Sequence, residues 1–185
     1  MAKALIIIDY TNDFVDGSLP VGLPAIEIER RIVELTQQFA QNDQYTVMAV
    51  DLHEKNDPYH PESSLFPPHN IAGTSGRELY GQLAETYDQH RSRIYWMDKT
   101  RYSAFAGTDL ELRLRSRGIS ELHLVGVCTD ICVLHTAVDA YNLGFSIVVH
   151  QDAVASFNAA GHEWALGHFK SSLGAEVVSN WQVNG

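Results

Sequence analysis

The chain has 185 residues, of which 45% are hydrophobic and 19% are charged, and its formal net charge is −10. This length and composition predict one globular domain over residues 1–185 and argue against a disordered chain. The acidic balance argues against a nucleic-acid backbone as a partner, because phosphate binding needs clustered Lys and Arg.

Membrane partners and secretion are not expected either. No apolar run approaches the roughly 18 residues that a bilayer span requires, and the run that ends at Ile8 is too short for the core of a signal peptide. The only cysteines are Cys128 and Cys132, too few for a disulfide scaffold. We therefore expect a cytoplasmic, reducing setting, with a regulatory Cys128–Cys132 disulfide as the weaker alternative.

Short apolar runs alternate with longer amphipathic ones along the chain. In chain order they predict a strand at Ala4–Ile8, a helix at Ile26–Phe39, a strand at Tyr45–Val50, a helix at Arg77–Thr86, a strand at Arg93–Met97, a helix at Leu110–Arg117, a strand at Leu122–Val127, a helix at Asp130–Leu143, a strand at Phe145–His150, a helix at Gly161–Leu173 and a strand at Glu176–Val178. The segment Asp57–Gly76, rich in Pro, His and Gly, predicts a long ordered loop, and such loops usually carry function.

This alternation predicts an α/β fold, in which one six-stranded, mostly parallel sheet carries helices on both faces in a Rossmann-like three-layer arrangement. Ligands bind such sheets beyond the carboxyl ends of the strands. Asp9 ends the first strand, Asp51 and His53 follow the second, Lys99 follows the third, and Cys132 lies past the fourth. Their convergence at one edge favours a catalytic site over a set of unrelated turn and surface residues.

The candidate nucleophile is Cys132. If Thr129 caps the following helix, Cys132 falls in the first turn, where free N–H groups and the helix dipole favour a thiolate. A nearby lysine would lower the pKa of the thiol further. Asp9 is placed to accept the thiol proton and pass it to a leaving amine. The N–H groups of Cys128 and Cys132 would form an oxyanion hole.

Three segments resemble the nicotinamidase (pyrazinamidase) family of isochorismatase-like cysteine hydrolases. They are Ile7–Phe14 (IIDYTNDF), Lys99–Phe105 (KTRYSAF) and Gly126–Cys132 (GVCTDIC), and they stand in the family's order. The resemblance implies a six-stranded parallel sheet and an Asp9–Lys99–Cys132 triad. It also implies a cis peptide at Val127–Cys128 and hydrolysis of nicotinamide to nicotinate in NAD salvage, with pyrazinamide as a further substrate.

A divalent metal is expected beside the triad. Asp51 and His53 lie two residues apart in an extended segment and face the same way. With Glu62 and His69 from the long loop they form an oxygen and nitrogen set suited to Zn²⁺, our first choice, or to Mn²⁺ or Fe²⁺. An Asp-x-His after the second strand is what nicotinamidases use, and His60 is the alternative to Glu62.

Aromatic residues and the other histidines complete the prediction. Phe14, Phe66 and Tyr102 match positions where the family encloses the substrate, although each would also suit ordinary core packing. The remaining histidines are interpreted as structural: His90, His123, His135, His150, His162 and His168.

Three other functions stay open. An isochorismatase shares the Arg101–Phe105 stretch but needs neither the cysteine nor the metal. An N-carbamoyl amide hydrolase keeps the triad without a metal to hold a pyridine. A binding protein on the same fold would have lost a triad member, and none is missing. The family varies in oligomeric state, so a homo-oligomer is allowed.

Overall fold

The computed structural model describes residues 2–183 and contains a six-stranded sheet in which every strand pair is parallel. The strand order is β3-β2-β1-β4-β5-β6. The strands are β1 (Ala2–Ile8), β2 (Tyr45–Asp51), β3 (Ile94–Lys99), β4 (Ile119–Val127), β5 (Ser146–Ala155) and β6 (Glu176–Val178). All six predicted strands are present, and the sheet is wholly parallel rather than mostly so.

Helices cover both faces of the sheet. They are α1 (Asn12–Val15), α2 (Leu23–Glu27), α3 (Glu29–Gln41), α4 (Gly81–His90), α5 (Leu110–Ser116), α6 (Leu134–Asn142) and α7 (Ala159–Leu173). Residues of α1 to α4 share one buried apolar cluster, and residues of α5 to α7 share the other. None of the helices within residues 2–183 is both long enough and apolar enough to cross a bilayer. The predicted three-layer α/β fold is confirmed.

The two-sided burial of β1 explains its unbroken apolar sequence. Ala4, Ile6 and Ile8 point into one cluster, while Leu5 and Ile7 point into the other. Successive side chains of a strand face opposite ways, so a strand between two helical layers must be apolar at every position.

Three predicted helices differ from the structure. The helix predicted at Asp130–Leu143 starts with a π-helical turn, Thr129–Val133, and α6 begins only at Leu134. The predicted helix at Ile26–Phe39 is divided into α2 and α3 at Ile28, which lies between them. The helix predicted from Arg77 begins at Gly81 instead, because Arg77 Nε donates to the Asp51 carbonyl at 2.6 Å and its segment is held against the sheet. The short helix α1 was not predicted, because its four residues are too few to show a helical spacing of apolar residues.

The strand order reverses between β1 and β4. The chain builds β2 and β3 on one side of β1, then crosses to β4, β5 and β6 on the other. A crevice opens at such a reversal, beyond the carboxyl ends of the strands. The long loop 57–76 contains the 3₁₀ turn Pro61–Ser64 and leads into a second one, Ser75–Arg77. A bridge between His53 and Ile71 joins the loop to the segment after β2.

Candidate active site

Asp9, Lys99 and Cys132 meet at this crevice, as their positions after strands predict. Lys99 Nζ lies 2.7 Å from Asp9 Oδ2 and 3.6 Å from Cys132 Sγ. Asp9 and Lys99 are fully buried, and Cys132 is 3% exposed. The lysine therefore stands between the carboxylate and the thiol, where its charge can stabilise a thiolate.

Asp51 joins the same group. Its carboxylate Oδ1 accepts a hydrogen bond from Lys99 Nζ at 2.5 Å, and its backbone N–H donates to Asp9 Oδ1 at 2.8 Å. Two buried carboxylates thus share one ammonium. Burial alone would lower the pKa of Lys99, but Asp51 and Asp9 raise it well above its ordinary value. The lysine remains charged, and this positive charge balances part of the buried negative charge.

The cysteine lies on a π-helical turn, Thr129–Val133, that continues into α6. The expectation that Thr129 caps this turn is wrong, since Cys128 occupies the cap position and the Thr129 hydroxyl is hydrogen-bonded to His162 Nδ1 at 2.8 Å. The Val127–Cys128 peptide is cis, as the resemblance implies. Both cysteines are free thiols.

The pKa of the nucleophile differs from the sequence-based expectation. Burial raises the pKa of the Cys132 thiol well above its ordinary value, and Asp9 and Asp51 raise it further against the opposing effect of Lys99. Burial, followed by the charge of Asp51, also raises the pKa of Asp9 to about 6. Desolvation therefore outweighs the lysine in its effect on the pKa of the thiol, and Asp9 is the neighbouring carboxylate that can accept the thiol proton.

Four side chains form a second group next to the triad. Ligand atoms of Asp51, His53, Glu62 and His69 all lie within 4.8 Å of one another, and all four residues are buried. Glu62 Oε2 is 3.4 Å from His69 Nε2, and Glu62 Oε1 is 3.7 Å from His53 Nε2. Ligand atoms of a tetrahedral zinc site are separated by about 3.4 Å, given bonds of about 2.1 Å. The separations suit a metal.

The hydrogen bonding of the two histidines also fits a metal. Nδ1 of His53 lies 2.9 Å from the His69 carbonyl, and Nδ1 of His69 lies 2.8 Å from the Pro67 carbonyl. Each Nδ1–H therefore donates to a carbonyl, and each Nε2 carries the lone pair. Both Nε2 atoms and Asp51 Oδ2 are buried without a hydrogen-bond partner among residues 2–183. Such atoms are costly unless something binds them.

Glu62, and not His60, belongs to this group. Both ring nitrogens of His60 are already engaged in hydrogen bonds. Its Nε2 lies 2.7 Å from the Thr100 carbonyl, and its Nδ1 accepts the N–H of Glu62 at 3.2 Å. Although burial opposes its ionisation, the neighbouring imidazoles of His53 and His69 hold the pKa of Glu62 at about 2. The glutamate is thus an anion aimed at the two imidazoles.

A small cavity touches both groups. Its lining consists of Phe14, Leu19, Glu62, Phe66, Tyr102, Cys128, Ile131, Cys132 and Phe157. The three predicted aromatic residues are all among them, and both predicted oxyanion-hole residues are too. We call this space the aromatic cavity.

Leu19, Ile131 and Phe157 line the aromatic cavity but were not predicted. Phe157 follows the end of β5, so the rule that placed Asp9 and Lys99 could have found it. Leu19 follows α1 in a loop, where sequence gives no comparable signal. Ile131 lies inside the Gly126–Cys132 segment, next to the nucleophile.

Two of the histidines interpreted as structural border the site. His162 is bonded to Thr129 of the nucleophile turn, and His135 Nδ1 contacts the Ile131 carbonyl at 2.7 Å. His135 also packs on Tyr102, with ring centroids 5.2 Å apart. His123 and His150 form a buried hydrogen-bonded pair elsewhere in the sheet.

Known proteins resemble this chain over nearly its whole length. The family model described as the isochorismatase domain matches residues 3–182. A Bacillus subtilis protein named "uncharacterized isochorismatase family protein PncA" is 65% identical over 182 residues, which cover 96% of this chain and all of that protein.

Two solved structures share the fold. The nicotinamidase/pyrazinamidase PncA of Bacillus subtilis superposes with a TM-score of 0.94 and 64% identity, covering 96% of this chain and all of that one. The pyrazinamidase of Pyrococcus horikoshii in complex with zinc superposes with a TM-score of 0.85 and 30% identity, covering 97% and 99%. The family model and these likenesses span nearly the whole chain, and the chain belongs to the isochorismatase family.

Proposed function

We propose that the chain is a nicotinamidase, which hydrolyses nicotinamide to nicotinate and ammonia in NAD salvage and also accepts pyrazinamide. One observation carries the proposal: Asp51 belongs both to the buried group around Cys132 and to the ligand group of His53, Glu62 and His69. A nucleophile and a metal site that share a residue can act on the same small molecule. The names of the two superposed structures support the same reaction.

We propose that Asp51, His53, Glu62 and His69 hold one divalent ion, zinc in the first place, with Mn²⁺ or Fe²⁺ as alternatives. Buried, unpartnered ligand atoms and the mixed oxygen and nitrogen set support this proposal. The zinc complex of the Pyrococcus horikoshii pyrazinamidase supports the choice of metal. When bound, the ion would supply a Lewis acid able to hold the pyridine nitrogen of the substrate.

The first chemical step uses the triad. Asp9 accepts the proton of the Cys132 thiol, and the Lys99 ammonium, 3.6 Å from the sulfur, stabilises the thiolate as it forms. The sulfur attacks the carboxamide carbon. The carbonyl oxygen gains the negative charge, and the N–H groups of Cys128 and Cys132 are proposed to bind it.

The amide bond then breaks. Asp9 gives the proton to the departing nitrogen, ammonia leaves, and a thioester remains on Cys132. A water molecule, deprotonated by Asp9, attacks the thioester carbon, so that nicotinate leaves and the thiol is restored. Phe14, Phe66 and Tyr102 are proposed to enclose the pyridine ring during both steps.

The test is ammonia release from nicotinamide, pyrazinamide and an N-carbamoyl amide, product analysis after incubation with isochorismate, and elemental analysis of the purified protein. We expect turnover of the first two, loss of activity after chelation and recovery with Zn²⁺. Turnover of only the N-carbamoyl amide, unaffected by chelation, would overturn the proposal. Formation of a dihydrodiol acid from isochorismate, without ammonia, would favour the isochorismatase alternative.

Replacement of Cys132 tests the nucleophile. We expect Cys132→Ala to abolish turnover but to keep nicotinamide binding, which isothermal titration measures. A Cys132→Ala protein that still releases ammonia would exclude the thioester. Replacing Asp9 by Asn or Lys99 by Ala should remove nearly as much activity, because members of such a triad act as a unit.

We also propose a cytoplasmic location. Both cysteines are buried free thiols, which a reducing compartment preserves. Fractionation of cells with an antibody against the chain tests the location, and light scattering of the purified protein measures whether it forms a homo-oligomer.

A further inference from the structure

Asp13 is a buried carboxylate for which the proposed reaction has no use. It lies on α1, four residues after Asp9, and is 7% exposed. Its Oδ2 accepts the backbone N–H of Asn70 at 2.8 Å, and its Oδ1 accepts that of Ser18 at 3.1 Å. Burying a carboxylate is costly unless hydrogen bonds or a charged partner replace its contacts with water.

Asn70 is the residue through which Asp13 reaches the ligand group. Asn70 follows His69 directly, is fully buried and has a φ of 45°, in the left-handed region that Asn adopts more readily than most residues. Its carbonyl accepts the N–H of His53 at 3.1 Å. Its side chain accepts the hydroxyl of Thr11 at 2.9 Å. One residue therefore fixes the backbone beside both histidine ligands.

Gly76 shows how closely Asp13 is enclosed. A Cβ at Gly76 would lie 2.2 Å from Asp13 Oδ2, so only glycine leaves room for the carboxylate. The carboxylate is thus held between the segment after β1 and the second half of the long loop, at Asn70 and Gly76. A charged acceptor forms a stronger hydrogen bond with a backbone N–H than a neutral one does.

We propose that Asp13 is a positioning residue of the metal site: through the Asn70 N–H it sets the backbone from which His53 and His69 reach the ion. The inference rests on the proposed function, since it takes the ligand group to bind a metal. Asp13 links the segment that carries Asp9 to the loop that carries Glu62 and His69. The general base and the metal would then keep a fixed separation.

The test is zinc affinity of the folded protein. We expect Asp13→Asn, after chelation and dialysis, to bind Zn²⁺ about 10- to 100-fold more weakly than wild type in competition with a chromophoric chelator, as replacement of outer-shell partners typically does. Asp16→Asn is the matched control, because Asp16 is exposed and only three residues away. We expect this control to bind zinc as wild type does. Equal affinities of Asp13→Asn and wild type would overturn the proposal.

A second variant keeps the test valid if Asp13→Asn does not fold. Gly76→Ala displaces the same carboxylate without removing it and should also weaken zinc binding. A purely structural role would lower the melting temperature of the metal-free protein and leave zinc affinity unchanged, which contradicts the proposal. If wild type binds zinc but releases no ammonia from nicotinamide, the proposed function fails while the zinc comparison still decides the role of Asp13.

Discussion

Lys99 Nζ lies 2.5 Å from Oδ1 of Asp51, while Oδ2 of the same carboxylate is buried without a hydrogen-bond partner among residues 2–183. One carboxylate thus has one oxygen committed to the triad lysine and another available to a ligand. The pairing explains why the lysine is fully buried, and it makes the charge of the ligand group part of the environment of Cys132.

We predict that Asp51→Asn impairs both groups at once. Zinc affinity should fall by more than the about 10- to 100-fold that loss of an outer-shell partner costs, because a direct ligand is weakened. The catalytic efficiency kcat/KM should fall as well, even at saturating zinc, because Lys99 loses one of its two carboxylates. Zinc titration and ammonia release measure the two effects separately.

The exposed neighbour Glu54 provides the control for this prediction. Glu54→Gln removes one negative charge three residues after Asp51 in the chain and should change neither quantity. An Asp51→Asn protein that regains full kcat/KM at high zinc concentration would show that the bond to Lys99 has no part in catalysis.

The triad was predictable because parallel strands end at one edge. Asp9, Lys99 and Cys132 each follow a separate apolar run, and strand order alone brings them together. The choice between Glu62 and His60 was not predictable, because it depends on the direction in which the 3₁₀ turn at Pro61 points each side chain. The Thr100 carbonyl that binds His60 is distant in sequence.

The direction of the Cys132 pKa shift could not be predicted from the sequence either. A helix start and a lysine both favour the thiolate, and both are visible in the motif. The opposing effect is desolvation, which depends on the depth at which the folded chain buries the sulfur. For Phe157, the position after β5 was visible in the sequence, but the packing that brings its ring to the aromatic cavity was not.

We predict that Gly126→Ala inactivates the enzyme through Asp9. Gly126 has a φ of 111°, and a Cβ there would lie 2.0 Å from the carbonyl oxygen of Ile8, the residue before Asp9. A backbone carbonyl cannot rotate away as a side chain can, so the new methyl group must displace the end of β1. A displacement near 1 Å at a reacting group costs about 100-fold in rate, and ammonia release should show a loss of this size.

Gly118→Ala is the control that separates the steric clash with Ile8 from the effect of backbone strain. Gly118 also has a positive φ, 65°, but a Cβ there meets nothing within 4 Å. This control should lose about 1–2 kcal/mol of unfolding free energy from left-handed strain and keep its activity. Gly126→Ala should lose more stability by chemical denaturation. Equal activities of the two variants would contradict the role assigned to Gly126.

We predict that Phe157→Ala raises the KM for nicotinamide and leaves kcat nearly unchanged. Phe157 lines the aromatic cavity and contacts Phe66, with ring centroids 6.3 Å apart. Ser156, which precedes it, is fixed to Asp130 of the nucleophile turn by a 2.6 Å hydrogen bond. Loss of an aromatic contact worth about 1–1.5 kcal/mol corresponds to about a tenfold rise in KM.

Trp164 is the matched control for Phe157. It is an aromatic residue with 58% exposure that stacks on His168 rather than lining the cavity. Steady-state kinetics of Trp164→Ala should match wild type. A fall in kcat for Phe157→Ala with KM unchanged would assign this ring to the chemical step instead of to binding.

The last prediction concerns the buried pair of His123 and His150, whose rings share a 2.9 Å hydrogen bond between Nδ1 and Nε2. Burial lowers the pKa of both, that of His150 to about 3, although Glu121 opposes the shift at His123. Lys3 and Arg31 are the positive charges that face the pair, and they favour the neutral form.

An unfolded histidine has a pKa near 6.5, so between about pH 6.5 and 3 the unfolded chain binds more protons than the folded one. The unfolding free energy therefore falls as pH drops through this range, by up to about 1.4 kcal/mol per pH unit for each such histidine. Urea denaturation at several pH values measures the slope. We expect His150→Gln to flatten it relative to wild type, whereas replacement of His90, a partly exposed residue at the end of α4, should leave it unchanged. Equal slopes for His150→Gln and wild type would mean that the pair is not neutral in the folded protein.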